Sequence, residues 1–176
     1  MAFFGKNIIW LTGDEHSELG HITEDPETRD AMMTKRMTKA LTILREIPEE
    51  EQVQLIGNPN ADITFLSWGS NKGVILSVIE QLKAEGISAN LVYMKLMNPF
   101  PSELVSRYLS NAKLIVDLEN NYTGQLASLV RQNCGVKIEN FILKYNGRHI
   151  TDDEVYYGIK RILGKNEKRV VMIGGA

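Results

Sequence analysis

Cysteine is almost absent from this chain: Cys134 stands alone among 176 residues. One thiol excludes a disulfide framework and any four-thiolate zinc or iron–sulfur site. Long apolar runs are missing as well, and no stretch approaches the roughly 20 apolar residues of a membrane-spanning helix. The opening Met1–Trp10 has an apolar centre at Ile8, Ile9 and Trp10. It carries no small-residue cleavage site and soon meets Asp14 and Glu15. Basic charge is not in excess: 20 Lys and Arg stand against 22 Asp and Glu, a net charge of −2. Phosphate binding wants a clustered basic face, so nucleic acid is a poor partner for this chain. What remains is ordinary globular composition, 43% hydrophobic and 24% charged. The expectation is a soluble, cytoplasmic protein with no membrane partner.

The chain changes character near Pro48. Ahead of it lie a polar segment, Thr12 to Asp25, and an amphipathic run, Pro26–Ile47. Asp25 suits a helix cap, Pro26 the first helical position, and Glu27 the positive end of the helix dipole. Met33, Met37, Ala40, Leu41, Leu44 and Ile47 recur at three- and four-residue spacing and make one apolar stripe. That stripe has no sequence-local partner. It is expected to pack on another domain, to dock on a second copy as a homodimer, to dock back on the body, or to fray. Pro48 and the acidic run Glu49–Glu51 end the helix.

From Val53 onward the pattern is a repeated strand and helix. Asp62–Trp68, Asn90–Lys95, Lys113–Leu118 and Val136–Leu143 read as strands. Helical stripes follow over Val74–Leu82, from Ser102 to Leu109, over Leu126–Val130, and from the capping box Thr151–Glu154 to Leu163. Ser102 and Thr123 are the expected caps of the second and third, and Gly86 and Gly135 the left-handed stops. Apolar strands separated by helices predict an α/β domain, a parallel sheet with helices on both faces. Residues 1–52 form the linker segment and amphipathic helix, and residues 53–176 the α/β domain.

Two turns attract attention. In WGSNKG, from Trp68, the turn Gly69, Ser70, Asn71, Lys72 and Gly73 closes a buried strand and opens a helix. Its free N–H groups, with Lys72, suit an anion. It matches neither the dinucleotide fingerprint nor a Walker loop, so the plainer reading is a tight turn whose glycines permit the backbone path. In ENNYTGQL, Glu119, Asn120, Asn121, Tyr122 and Gly124 stand at another strand end. Glu119 suits an acid–base role or a bridge to a neighbouring subunit, and no second carboxylate or histidine is evident beside it to favour catalysis. Asp14, Glu15, His16, Glu18, His21 and Glu24 look like a loose metal set. Yet His16 and His21 are five apart rather than the four that share a helix face, and a hydrogen-bonded interdomain linker fits better. Cys134 is read as a structural thiol, and His149 has no identifiable partner. No catalytic residue, metal ligand or cofactor-binding residue is assigned.

Taken together, GDEHSELGHITEDP (Gly13–Pro26), TFLSWGSNKG (Thr64–Gly73), NPFPSE (Asn98–Glu103), ENNYTGQL (Glu119–Leu126) and ILKYNGR (Ile142–Arg148) resemble the alpha subunit of 2-oxoacid:ferredoxin oxidoreductases. The resemblance runs from about Thr12 to Leu163 and covers the C-terminal portion of that subunit, which implies a transketolase C-terminal-like fold, a three-layer α/β/α sandwich with a mostly parallel sheet. It implies a parent complex that decarboxylates a 2-oxoacid on thiamine diphosphate and magnesium. Electrons pass through a [4Fe–4S] cluster to ferredoxin, and the acyl group goes to coenzyme A. It implies as partners the beta subunit, the remaining alpha-subunit domain and, through the complex, ferredoxin. The chain has no diphosphate motif, so it is expected to hold no cofactor and to be inactive alone, whether a subcloned fragment or a split gene product. Gly69, Ser70, Asn71, Lys72, Gly73, Glu119, Asn120, Asn121, Tyr122 and Gly124 are expected as anion or interface contacts. On the residues alone, a stand-alone anion- or nucleotide-binding module using the 68–73 turn stays open.

Overall fold

The computed structural model describes Phe3, residues 5–8 and residues 12–174; the apolar pair Ile9 and Trp10 of the opening segment lies outside the described residues. The chain divides into two compact units, Met1–Glu46 and Ile47–Ala176.

In the first unit a short antiparallel bridge joins His16 to Ile22. Ser17 N–H donates to the His21 carbonyl and Thr23 N–H to that of Glu15. Helix α1 spans Pro26–Glu46. Asp25 caps it as expected, its Oδ2 accepting from the Thr28 N–H at 2.8 Å and the Thr28 hydroxyl at 2.7 Å. No residue of α1 is buried. Met33, Met37 and Leu41 of its stripe are among the exposed large hydrophobic residues.

The second unit opens with a short helix, α2 (Glu49–Gln52), where the acidic run was expected only to end α1. Six strands follow: β1 (Val53–Ile56), β2 (Ile63–Trp68), β3 (Ala89–Met94), β4 (Ile115–Glu119), β5 (Asn140–Leu143) and β6 (Arg169–Val171). Their order in the sheet is β1-β3-β2-β4-β5-β6. β1 runs antiparallel to β3; every other pair is parallel. The crossing helices are α3 (Lys72–Ala84), α4 (Ser102–Leu109), α5 (Gln125–Cys134) and α6 (Asp152–Lys165). One side of the sheet packs Ile63, Phe65, Leu91, Val116, Leu118 and Ile142 with Ile75, Val78 and Leu82 of α3 and Val155 and Ile159 of α6. The other packs Leu66, Val92 and Met94 with Leu104 and Val105 of α4 and Leu126 and Val130 of α5. Strands covered on both faces need apolar residues at successive positions, which is why they read as continuous runs. The unit is the expected three-layer α/β/α sandwich with a mostly parallel sheet.

Several local expectations are corrected. The fourth strand covers only Asn140–Leu143, because residues 135–139 follow the left-handed Gly135 without ladder pairing. Pro101, not Ser102, is the cap position of α4. Gly124, not Thr123, is that of α5, at φ 68°. Thr151 and Glu154 do form the capping box of α6.

Candidate functional site

The order β3-β2-β4 means that the chain steps from β2 to one side and then crosses to the other. Two loops therefore diverge at the C-terminal ends of β2 and β4, the position where open α/β sheets form a crevice. Here Trp68, Gly69, Ser70, Asn71, Asn120, Asn121 and Gln125 line a cleft of about 240 Å³. The two turns singled out separately in sequence thus meet in one place. Trp68, which opens the WGSNKG motif, and Gln125, within ENNYTGQL, line it too. None of these lining residues is charged.

Glu119 ties the cleft together. It is wholly buried. Its Oε1 accepts from the Leu126 N–H of α5 at 2.8 Å. Its Oε2 accepts from the Trp68 indole N–H at 3.1 Å and the Asn121 amide at 2.7 Å. Glu119 therefore supplies from the strand the cap that α5 lacks locally, since Gly124 has no side chain to give. Asn121 completes the turn by accepting from the Gly124 N–H at 2.8 Å. Gly124 itself is required. Its φ is positive, and a Cβ there would stand 2.8 Å from the Phe141 ring. Asn71, also buried, donates to the Ser67 hydroxyl at 3.2 Å and the Leu118 carbonyl at 3.4 Å, which fixes the first turn to β4.

A second carboxyl does lie beside Glu119, contrary to the sequence expectation. Asp117 is two residues back on the same strand face, wholly buried, and neither of its oxygens has a hydrogen-bonding partner. Burial first, and the Glu119 carboxylate next, push its pKa well above the usual carboxylate range. The nearby Ala127 amide works in the opposite sense and is outweighed. Period-2 alternation was the signal that could have found this pair. It was lost because β4 was read as ending at Leu118, leaving Glu119 in the turn.

The remaining candidates fall elsewhere. Lys72 does not line the cleft; its ammonium donates to Gln54 Oε1 at 3.1 Å and lies 5.0 Å from the centre of the Tyr93 ring. Its place at a helix start says nothing of where a long side chain finds a partner. Gly73 is a helical residue with open space around its Cα. Tyr122 is exposed and pairs with Tyr145, ring centroids 4.9 Å apart, while the Arg169 guanidinium lies over the Tyr122 ring at 5.2 Å from its centre. Cys134 is half-buried and its thiol meets the Ser102 carbonyl at 3.5 Å. The backbone of His149, not its imidazole, has a partner: its carbonyl accepts from the buried Lys144 ammonium at 2.7 Å. In the first unit, Glu15 of the loose acidic set is gripped by both terminal nitrogens of Arg36, at 2.9 and 2.6 Å. That bond lowers its pKa to about 2. Among the described residues no three His, Cys, Asp or Glu side chains converge as metal ligands, and no helix is long and apolar enough to cross a membrane.

Comparison with known proteins bears on the same region. A family model described as pyruvate:ferredoxin oxidoreductase core domain II matches residues 61–155, which include both turns. The 2-oxoacid:ferredoxin oxidoreductase subunit alpha of Saccharolobus solfataricus is 43% identical over 99% of this chain and 28% of its own length. Subunit alpha of 2-oxoacid:ferredoxin oxidoreductase 2 from Aeropyrum pernix is 39% identical over 99% of this chain and 27% of its own. The chain therefore spans little more than a quarter of the length of these two relatives. The structure of 2-oxoglutarate:ferredoxin oxidoreductase from Magnetococcus marinus, with 2-oxoglutarate, coenzyme A and succinyl-CoA bound, superposes with a TM-score of 0.74. It is 27% identical and covers 92% of this chain and 28% of that one. A split-gene transketolase, an inactive β4 tetramer, shares the fold alone at 20% identity and a TM-score of 0.52, over 66% of this chain and 43% of that one.

Proposed function

Because the chain belongs to the pyruvate:ferredoxin oxidoreductase core domain II family, we propose that it is a non-catalytic domain of the alpha subunit of a 2-oxoacid:ferredoxin oxidoreductase, serving subunit assembly and interdomain packing. The parent complex oxidatively decarboxylates a 2-oxoacid to acyl-CoA and reduces ferredoxin. In that reading thiamine diphosphate, magnesium and the [4Fe–4S] cluster are held by other parts of the complex, and the partners are the beta subunit and the rest of the alpha subunit.

The observation that carries this reading is the chemistry of the cleft. A diphosphate needs cationic or backbone N–H donors turned toward it. The cleft's side chains are uncharged, Trp68 and Asn121 of its lining are bonded to the buried Glu119 carboxyl, and Lys72 is engaged with Gln54 and Tyr93. These residues do not fit thiamine diphosphate, and a single cysteine does not fit a cluster. An exposed, hydrogen-bonded tryptophan flanked by amides suits contact with protein instead. The nucleotide-module reading loses its cation for the same reason.

The test is reconstitution. The chain should co-purify with a thiamine-binding beta subunit and the remaining alpha domain, and 2-oxoacid-dependent dye reduction should require all of them. Calorimetry of the chain alone should give a thiamine diphosphate dissociation constant no tighter than about millimolar, near 4 kcal/mol of binding. Micromolar binding, or decarboxylation by the chain alone, overturns the proposal.

A further inference from the structure

Asp117 is a buried acid whose two side-chain oxygens accept no hydrogen bond. Leu66 of β2 and Phe141 of β5 flank it in register. Helix α5 covers it with Gly124, whose Cβ position is 3.4 Å from Asp117 Oδ2, and with the Leu126–Ala127 turn. The titratable groups around it are few. On β4 itself there is only Glu119. Along α5 the titratable side chains are the exposed Arg131 and the half-buried Cys134, and α4, packed on α5, has Glu103 and Arg107 exposed and Tyr108 half-buried. β2 and β5 present no charged side chain on this face. Lys144 and its partner Glu154 belong to α6 on the opposite side of the sheet. An ionised carboxylate in such a place, beside a second one, is costly. A protonated Asp117 removes the cost, since it can donate to Glu119 while Glu119 keeps its three N–H donors.

We propose that Asp117 and Glu119 hold one proton between them, and that this proton is a latch on the cleft. With it in place, Glu119 keeps Trp68, the Asn121 turn and the first turn of α5 together. When it leaves to solvent, two adjacent buried carboxylates repel and that rim loosens. Asp117 is thus a positioning residue for the cleft, acting through Glu119. The inference rests on the fold and stands whether or not the assembly role holds.

The sign follows from linkage. An acid that keeps its proton in the folded state and loses it in the unfolded chain stabilises fully at low pH. That contribution is lost as pH rises toward the folded-state value, by up to tenfold in the unfolding equilibrium per pH unit. In a Trp10→Phe background, Trp68 is the sole indole and reports on Glu119 directly. The latch predicts a step in Trp68 emission above the ordinary carboxylate range, accompanied by loss of stability in denaturant titrations. Asp117→Asn keeps the shape and the donor but cannot ionise. It should abolish the step and equal or exceed the wild type in stability at neutral and alkaline pH. A step that survives in Asp117→Asn, or an Asn variant less stable than wild type at pH 8, overturns the latch. Should that variant fail to fold, infrared spectra of the wild type with carbon-13-labelled aspartate decide. Asp117 is the only buried aspartate among the described residues. A protonated aspartate carbonyl band at pH 7 is expected, and its absence overturns the proposal.

Discussion

Lys144 and Asp117 are both wholly buried, one just past the end of β5 and the other on the neighbouring β4, yet only Lys144 has met its counter-charge. On the α6 side, Lys144 donates to both oxygens of Glu154 at 2.9 and 2.7 Å and to the His149 carbonyl. Burial works to raise the pKa of Glu154, but the bonds from Lys144 and Thr151 outweigh it, and the net direction is down. On the α5 side, Asp117 has burial and a like charge, which the Ala127 amide does not offset, and its pKa goes up. The contrast teaches that burial alone does not decide a side chain's charge. The same sheet holds an ion pair on one face and an acid of raised pKa on the other, according to whether a partner of opposite sign is in reach.

The sharpest way to break that contrast is to remove the cation. Lys144→Ala leaves Glu154 half-covered and unpaired at the start of α6, and should cost about 3 kcal/mol in urea unfolding. Lys144→Met, which keeps the stem, should lose the pair but less of the packing. If Lys144→Ala were as harmless as Asp117→Asn is expected to be, the ion pair would not be holding α6.

A smaller effect is expected where the lid over Asp117 is disturbed. Gly124→Ala places a Cβ against the Phe141 ring and asks a side chain to accept φ 68°, for a loss of about 2 kcal/mol. Because α5 would be displaced from the carboxyl pair, the Trp68 emission step should also broaden or move toward lower pH. The smallest effects belong to the first turn. Gly69, at φ 66°, should resist Val by about 1 kcal/mol. Gly73→Val meets no neighbour and should stay within about 0.5 kcal/mol. Lys72→Ala gives up one amide contact and one ring contact and should also cost no more than about 0.5 kcal/mol. Melting temperatures of these variants rank the two turns directly.

Much of the architecture was legible because strands buried on both faces leave unbroken apolar runs, as in DITFLSW and NLVYMK, and because caps such as Asp25 and Thr151 are written in side chains. β1 and β6 were not specified in the same way. They are edge strands of four and three residues, too short for a run or an alternation to stand out. The caps of α4 and α5 misled for a different reason. Their donors are met by backbone geometry and by Glu119, seven residues before Leu126 in the chain. The two turns of the cleft were recognised, but their meeting depends on the crossover between β2 and β4, which no local pattern encodes. The aim of Lys72 and the partnership of Asp117 with Glu119 likewise came only with the fold.

One topological detail has practical weight. β1 runs against the other strands, so it begins where they end: Val53 and Trp68 both sit level with Met94. β6 is parallel, so Val171 also finishes at that edge. Both attachment points of the sheet are therefore on the rim that bears the cleft. A reporter or tag fused ahead of Val53 or behind Val171 would crowd the surface it was meant to monitor. The connections at residues 57–62, 85–88 and 110–114, on the opposite rim, are the quieter places for an insertion.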